Sequence, residues 1–219
     1  MNAYFSLDNS LSEEQSLPVQ IAQVLLRKIF MGELKLGTRI TEASIAKQLN
    51  VSNIPVREAF SILHHTGIIE KIPHKGVHIR EITKKEIRDY EITLNILYKK
   101  CIDLADSKWS REKLNLMKDA LVDLKHHLDS NNLIEFVNAY AKICRYVIVV
   151  SENVAILRFY DEITYVTNAY VQSHWNDINH LRKLYEQLVS MIEELCKGNN
   201  EEAKHYFEEM TCNFLNVSK

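Results

Sequence analysis

The sequence predicts a mainly α-helical protein in two parts: a small N-terminal module of helices with a β-hairpin, then an all-helical bundle of about six helices. Three observations carry this. All three prolines (Pro18, Pro55, Pro73) and four of the five glycines (Gly32, Gly37, Gly67, Gly76) precede residue 80. After Gly76 only Gly198 remains as a breaker, and a stretch that long without breakers reads as helix. Two short β-prone runs, Ile68 to Ile72 and Val77 to Ile82, flank Pro73-His74-Lys75-Gly76, the composition of a tight turn.

Within the N-terminal module, Val19 to Met31 reads as a helix that Gly32 ends. Gly37 to Thr41 is a short connection, and Thr41 is a good N-cap for a helix reaching Leu49. The turn Asn50-Val51-Ser52 leads into a third helix running to about His65, with Ser52 as cap and Pro55 in the first turn, where its missing N–H costs little. Thr66-Gly67 stops it. Helix, helix, turn, helix, hairpin is the order of a winged helix-turn-helix.

Further along, apolar residues recur at steps of three and four, the signature of one buried helix face. The stripes are Ile87, Tyr90, Leu94, Leu97, Cys101, Leu104; then Leu114, Met117, Leu121, Leu124, Leu128; then Leu133, Phe136, Tyr140, Ile143, Val147, Val150. Ile156, Phe159, Ile163, Val166, Tyr170 form a fourth, and Leu181, Leu184, Leu188, Met191, Leu195 a fifth. Ala203, Phe207, Met210 and Phe214 close the chain, with turns at Asp129–Asn132 and Lys197–Asn200. Core packing of an antiparallel bundle accounts for all of them. The expected division is a polar tail over 1–16, a winged helix-turn-helix over 17–82 and a helical domain over 83–219.

Composition narrows the function. Of 219 residues, 46% are hydrophobic and 26% charged, an ordinary globular balance. No apolar run approaches the roughly 18 residues of a membrane span, and Met1 to Gln15 lacks the basic start and apolar core of a signal peptide. A cytoplasmic protein is expected, without membrane partners. The four cysteines (Cys101, Cys144, Cys196, Cys212) show no paired spacing, which favours reduced thiols. Net charge is −2, yet residues 17–82 carry nine Lys/Arg against five Asp/Glu, and residues 83–219 carry 18 against 21. A basic module joined to a mildly acidic one fits a DNA reader with a regulatory domain. The sequence holds no nucleophile-base phrase, phosphate loop or metal pair, so no enzyme is expected and no cofactor.

The stretch Gly32-Glu-Leu-Lys-Leu-Gly-Thr-Arg-Ile-Thr-Glu, followed by Ile45 to Leu63, closely resembles the DNA-binding domain of GntR-family transcription regulators. That family's phrase Val-Ser-Arg-Thr-Pro-Val-Arg-Glu-Ala-Leu is matched from Val51 to Phe60 except at Asn53, Ile54 and Phe60, and Gly67-Ile-Ile and Lys75-Gly76-Val-x-Ile fit its strand and wing. The helical remainder resembles the FCD effector domain of the FadR-like branch, on architecture and on Ser151-x-Asn153. The resemblance implies a homodimeric regulator, a repressor, that binds a double-stranded inverted-repeat operator and senses a small molecule.

Side-chain chemistry supports the DNA-binding part independently. On the third helix Val56, Ala59, Phe60 and Leu63 form the inward face, so Asn53, Arg57 and Ser61 point outward. An outward Arg offers five donors to phosphates or guanine edges, and Asn can pair with adenine; a solvated charge, or a pair with Glu58 or a neighbouring helix, is the competing reading for Arg57. Ser52, Arg39 and Lys47, with His74, Lys75 and Gly76 on the wing, complete the candidate interface. Where the family has Arg-Thr this chain has Asn53-Ile54, so the family's usual operator does not carry over.

In many FCD domains one Asp and three His hold a divalent metal. Counting from Asn153, Gly198 and Ala203, those positions fall on Tyr140, Cys144, Leu188 and Met210, and the Arg of the first bundle helix falls on Thr93. None keeps a ligand atom of the family's kind, so no metal is expected. These five residues instead mark a candidate effector pocket, with simple space-filling as the alternative. Cys144 is read as a buried structural thiol, not a sensor, and His174 and His180 as surface residues. The competing function is a regulator whose bundle is only a dimerisation scaffold.

Overall fold

The computed structural model describes residues 15–170 and 177–216. Among them are nine α-helices and one three-stranded antiparallel sheet: α1 (Leu17–Phe30), β1 (Arg39–Ile40), α2 (Glu42–Leu49), α3 (Asn53–His65), β2 (Ile69–Ile72), β3 (Gly76–Ile79), α4 (Lys84–Ala105), α5 (Arg111–Asp129), α6 (Leu133–Val150), α7 (Val154–Tyr170), α8 (Ile178–Lys197) and α9 (Asn200–Asn216). A 3₁₀ turn, Asp106–Lys108, follows α4. The residues group into two compact units: one runs to Thr83 and includes α7 from Thr164, the other runs from Lys84 to Ile163 and resumes with α8 and α9.

In the first unit α1 starts two residues before the expected Val19, because Pro18 sits in its first turn, where no N–H is needed. Its buried face, Ile21, Ala22, Leu25, Leu26, Ile29 and Phe30, packs on α3. Thr41 caps α2 as expected, its Oγ1 accepting from Ser44 N at 3.1 Å. Ser52 occupies the N-cap position of α3, but its hydroxyl makes no capping hydrogen bond, which corrects the expected cap. Val56, Ala59 and Leu63 are fully buried and Phe60 nearly so, so the inward face of α3 is as read.

The sheet is larger than a hairpin. Arg39 and Ile40, read as part of a connection, form an edge strand on β3, with Arg39 opposite His78 and Ile40 opposite Val77. The hairpin itself pairs Ile69 with Ile79 and Ile72 with Gly76, so β3 ends at Ile79, before the expected Ile82. The turn closes with Lys75 N donating to Ile72 O at 3.0 Å. Two residues there take positive φ, Gly76 at 94° and His74 at 63°. The first is a conformation glycine adopts freely; the second strains a side-chain-bearing residue.

In the second unit the first and last helices run antiparallel along a polar ladder. Asn95 Nδ2 donates to Thr211 Oγ1, Lys99 pairs with Glu208 at 2.6 Å, Lys204 pairs with Asp103, and Asn200 Nδ2 donates to Asp106 Oδ1 at 2.6 Å. Between these contacts the Tyr98 and Phe207 rings stack with centroids 3.5 Å apart. Helix α6 packs on α4 and α5, and α8 on α5 and α9. Ser151-x-Asn153 is a link between helices: Ser151 Oγ donates to Ile148 O at 2.6 Å, and Asn153 Oδ1 accepts from Ile156 N at 3.0 Å as the cap of α7. Arg145 clamps Asp161 through two 2.8 Å hydrogen bonds, tying α6 to α7.

Two stripes are rotated from their expected position. On α4 the buried residues are Glu91, Leu94, Tyr98, Cys101, Ile102 and Ala105, so Tyr98 turns inward where Leu97 was expected. On α7 Phe159 is 53% exposed while Tyr160 is buried. In both cases an aromatic lies next to the expected position, and a tertiary contact (the Phe207 stack, the Arg145–Asp161 clamp) sets which of the two faces inward.

Candidate nucleic-acid interface

All nine candidate DNA-binding residues are exposed: Arg39, Lys47, Ser52, Asn53, Arg57, Ser61, His74, Lys75 and Gly76. They fall into two clusters. The first is the N-terminal half of α3. A 13-residue helix presents its unpaired first-turn N–H groups at its start, and Ser52, with no capping bond, leaves its hydroxyl available there. Asn53, Arg57 and Ser61 follow on the outer face.

Arg57 does not extend freely into solvent. Its Nε lies 3.1 Å from Glu42 Oε1 and 3.0 Å from Oε2, and its Nη2 lies 3.0 Å from Oε2. The competing reading, a pair with a neighbouring helix, is thus realised, with a partner in the first turn of α2. The hydrogen bond and the charge of Glu42 raise the already high pKa of the guanidinium. The side chain remains 69% exposed, so the pair orients the guanidinium without covering it. Glu42 is a residue the sequence reading missed: it stands 15 positions away, beyond any local spacing rule.

The second cluster is the wing. Arg39 on β1 lays its guanidinium across the turn glycine, so that a Cβ at Gly76 would stand 3.1 Å from Arg39 Nε and 3.4 Å from Nη2. Gly76 is therefore needed twice, for its φ of 94° and for the room it leaves Arg39. His74 and Lys75 form the exposed tip beside it. Lys47 lies in the last turn of α2.

This geometry coincides with a family match: residues 17–79 fit the bacterial regulatory proteins of the gntR family. The chain carries a gntR-family DNA-binding domain. The HTH-type transcriptional regulator YdhC of Bacillus subtilis is 25% identical, with 82% of this chain and 97% of YdhC aligned. The repressor RspR of Escherichia coli is 31% identical, but the match covers 38% of this chain and 37% of RspR. Among solved structures, E. coli McbR/YncC superposes with a TM-score of 0.78 at 18% identity, covering 93% of this chain and 97% of that one, a likeness of fold. YdhC and RspR are HTH-type transcriptional regulators, and the chain, with its gntR-type domain over 17–79, is a DNA-binding transcriptional regulator. No helix among the described residues is long and apolar enough to cross a membrane.

The helical unit that follows the gntR-type domain in sequence brings together three of the five candidate pocket residues. Tyr140 donates its hydroxyl to Met210 Sδ at 3.6 Å. Burial pushes the Cys144 thiol up to about 12, against hydrogen bonding from Tyr140 and Tyr98 that lowers it. Burial likewise holds the Tyr98, Tyr140 and Tyr160 hydroxyls well above the ordinary phenol range. Tyr98 and Tyr160 were not anticipated here, since each lies one position off its expected stripe. Leu188 is fully buried on α8. Thr93 is exposed, and its hydroxyl donates to Asp89 O of its own helix at 2.9 Å, so it does not join the cluster.

These residues do not fit a divalent metal. A protonated thiol and phenol, a thioether and an aliphatic side chain supply no anionic or imidazole donor at neutral pH. Among the described residues no three His, Cys, Asp or Glu side chains gather as a ligand set. His205 is exposed and stands 3.4 Å from Glu209. His180 is buried at the start of α8, a correction to its expected surface position. His174 lies outside the described residues.

Proposed function

We propose that the chain is a cytoplasmic homodimeric repressor in which the α3 N-terminus and the wing read one half of an inverted-repeat operator. The observation that carries this is the Glu42–Arg57 pair at the exposed end of α3. A guanidinium held in place yet 69% exposed is preset for a phosphate or a guanine edge, because little of its rotamer freedom is left to lose. Asn53 and Ser61 supply neutral base contacts beside it. Ser52, Arg39, Lys47, His74, Lys75 and the backbone at Gly76 hold the phosphates.

Residues 83–219 would form an FCD-like domain that joins two copies and responds to a small molecule at the Tyr140–Cys144–Met210 cluster, walled by Leu188. Lined by a phenol, a protonated thiol, a thioether and an aliphatic side chain, the cluster would hold such a ligand by apolar and hydroxyl contacts. The second reading, a dimerisation scaffold without effector, is favoured by the direct Tyr140–Met210 contact and by complete burial of Leu188.

Selection of duplexes from a random pool, followed by fluorescence anisotropy and light scattering, tests the main reading. A bound inverted repeat and a mass twice 25.5 kDa are expected. A monomer with and without DNA, or no selected duplex, would overturn it. Melting shifts of the full chain with a metabolite panel, absent in Tyr140→Ala, separate effector from scaffold.

A further inference from the structure

Ile54 stands in the first turn of α3 with 67% of its surface exposed. Every other exposed residue of that helix is polar or charged: Asn53, Arg57, Glu58, Ser61, His64 and His65. A single exposed apolar side chain means little by itself; its position gives it meaning. At 100° per residue, Ile54 points away from the buried face of Val56, Ala59, Phe60 and Leu63, and shares the outer face with Arg57 and Ser61 at spacings of three and seven. It is therefore a central residue of the outer face, in the turn whose residues reach base edges in a helix-turn-helix.

We propose that Ile54 reads the C5-methyl group of a thymine in each operator half-site. This rests on the operator-reading function above. In the major groove adenine, guanine and cytosine present hydrogen-bonding edges, and thymine adds a methyl group. Ile54 has neither donor nor acceptor, so it gains nothing from the first three and loses hydration opposite them. Against a methyl group it buries apolar surface on both sides. Its β-branch restricts χ1 before DNA arrives, so little conformational freedom is lost on contact. Asn53 and Arg57 flank it with donors, and the thymine is thus expected next to a base that presents acceptors to them.

Replacing thymine by deoxyuridine removes the methyl and leaves every hydrogen-bonding group in place, which makes the test specific. Thymines of a duplex selected by the full-length protein are replaced one pair of symmetry-related positions at a time, and affinity is read by anisotropy at fixed salt for wild type, Ile54→Ala and Ile54→Val. One position is expected at which deoxyuridine weakens wild-type binding about four- to tenfold. Ile54→Ala should bind both duplexes alike, and Ile54→Val should retain most of the discrimination, with melting temperatures unchanged because the side chain is exposed. The proposal is overturned if no thymine responds, or if Ile54→Ala keeps the full wild-type discrimination, which would assign the methyl to another side chain. Should the wild type select no duplex at all, operator reading itself falls, and the role of Ile54 with it. A variant that loses its dimer mass would place Ile54 between copies of the chain, which also overturns the proposal.

Discussion

Glu42 and Arg57 join the two helices of the helix-turn-helix through three contacts of 3.0–3.1 Å, so the principal cation of the recognition face is held by a carboxylate on the helix before it. In the proposed operator complex DNA would share or displace that carboxylate. Arg57 is exposed and Glu42 half-buried, so their mutual attraction is screened by solvent and contributes little to stability; its consequence is for binding.

Two substitutions separate positioning from charge. Arg57→Ala should weaken operator binding by roughly 1–3 kcal/mol. Glu42→Gln removes a negative charge from the interface while freeing the guanidinium, so affinity for unrelated duplex should rise while the preference for the operator falls. Titrations of operator and scrambled DNA at two salt concentrations check both, and an unchanged operator-to-scrambled ratio in Glu42→Gln would remove the positioning role.

In the wing, Gly76→Ala should cost about 1–3 kcal/mol of stability, since φ is 94° and the added Cβ meets Arg39 at 3.1 Å. His74→Gly should stabilise by about 1 kcal/mol, relieving a residue at φ 63°. Urea unfolding followed by circular dichroism reads both; the same sign for the two changes would contradict the turn geometry.

Glu91 gives the bundle a pH dependence. It is 6% exposed on α4, its Oε2 has no hydrogen-bond partner among the described residues, and burial, partly offset by the Arg88 charge, raises its pKa from 4.5 to about 7. The folded state thus holds a proton that the unfolded chain gives up first. Its contribution is fully favourable below about pH 4.5 and is lost as pH rises through about 7. Glu91→Gln should flatten stability over that window, and Glu91→Leu should raise it at pH 8 by roughly 1–3 kcal/mol. Chemical denaturation at pH 5, 6, 7 and 8 measures the slopes. A wild-type curve that rises between 5 and 7 while that of Glu91→Gln does not would contradict the assignment.

The buried thiol predicts inertness. Cys144, fully enclosed and pushed up to about 12, should resist iodoacetamide in the folded protein and react only on unfolding, while the half-buried Cys196 reacts sooner. Elemental analysis of untagged protein should find no stoichiometric zinc, nickel or manganese. A bound metal lost in Cys144→Ser would refute the donor argument.

Much of this was legible in the sequence where the determining contact is local. The Thr41 cap, the inward face of α3 and the breaker-free bundle follow from spacing and propensity within a few residues. The edge strand Arg39–Ile40 was not legible, because two residues become a strand only through partners 37 to 39 positions on, His78 and Val77. The Glu42–Arg57 pair depends on the angle between two helices. Tyr98 and Tyr160 show the same limit: either of two adjacent residues continues a stripe, and a distant side chain decides between them. Ile54 stood out as a departure from the family phrase, but its place on the outer face emerges from the helix start at Asn53.

The ladder from Asn95–Thr211 to Asp106–Asn200 also fixes an order of events during synthesis. Helix α4 also packs on α6, but the ladder beside Tyr98 is completed only by α9, about a hundred residues later, so Tyr98 waits without its Phe207 until the ribosome has released nearly the whole chain. The strand pairs of the sheet and the packing of α1 and α2 on α3 lie within the first 80 residues and need no such delay, although that unit also takes in α7 from Thr164. A transcript cut short before codon 200 would therefore yield an N-terminal module attached to an exposed, half-assembled bundle, a substrate for proteases and not a smaller working regulator.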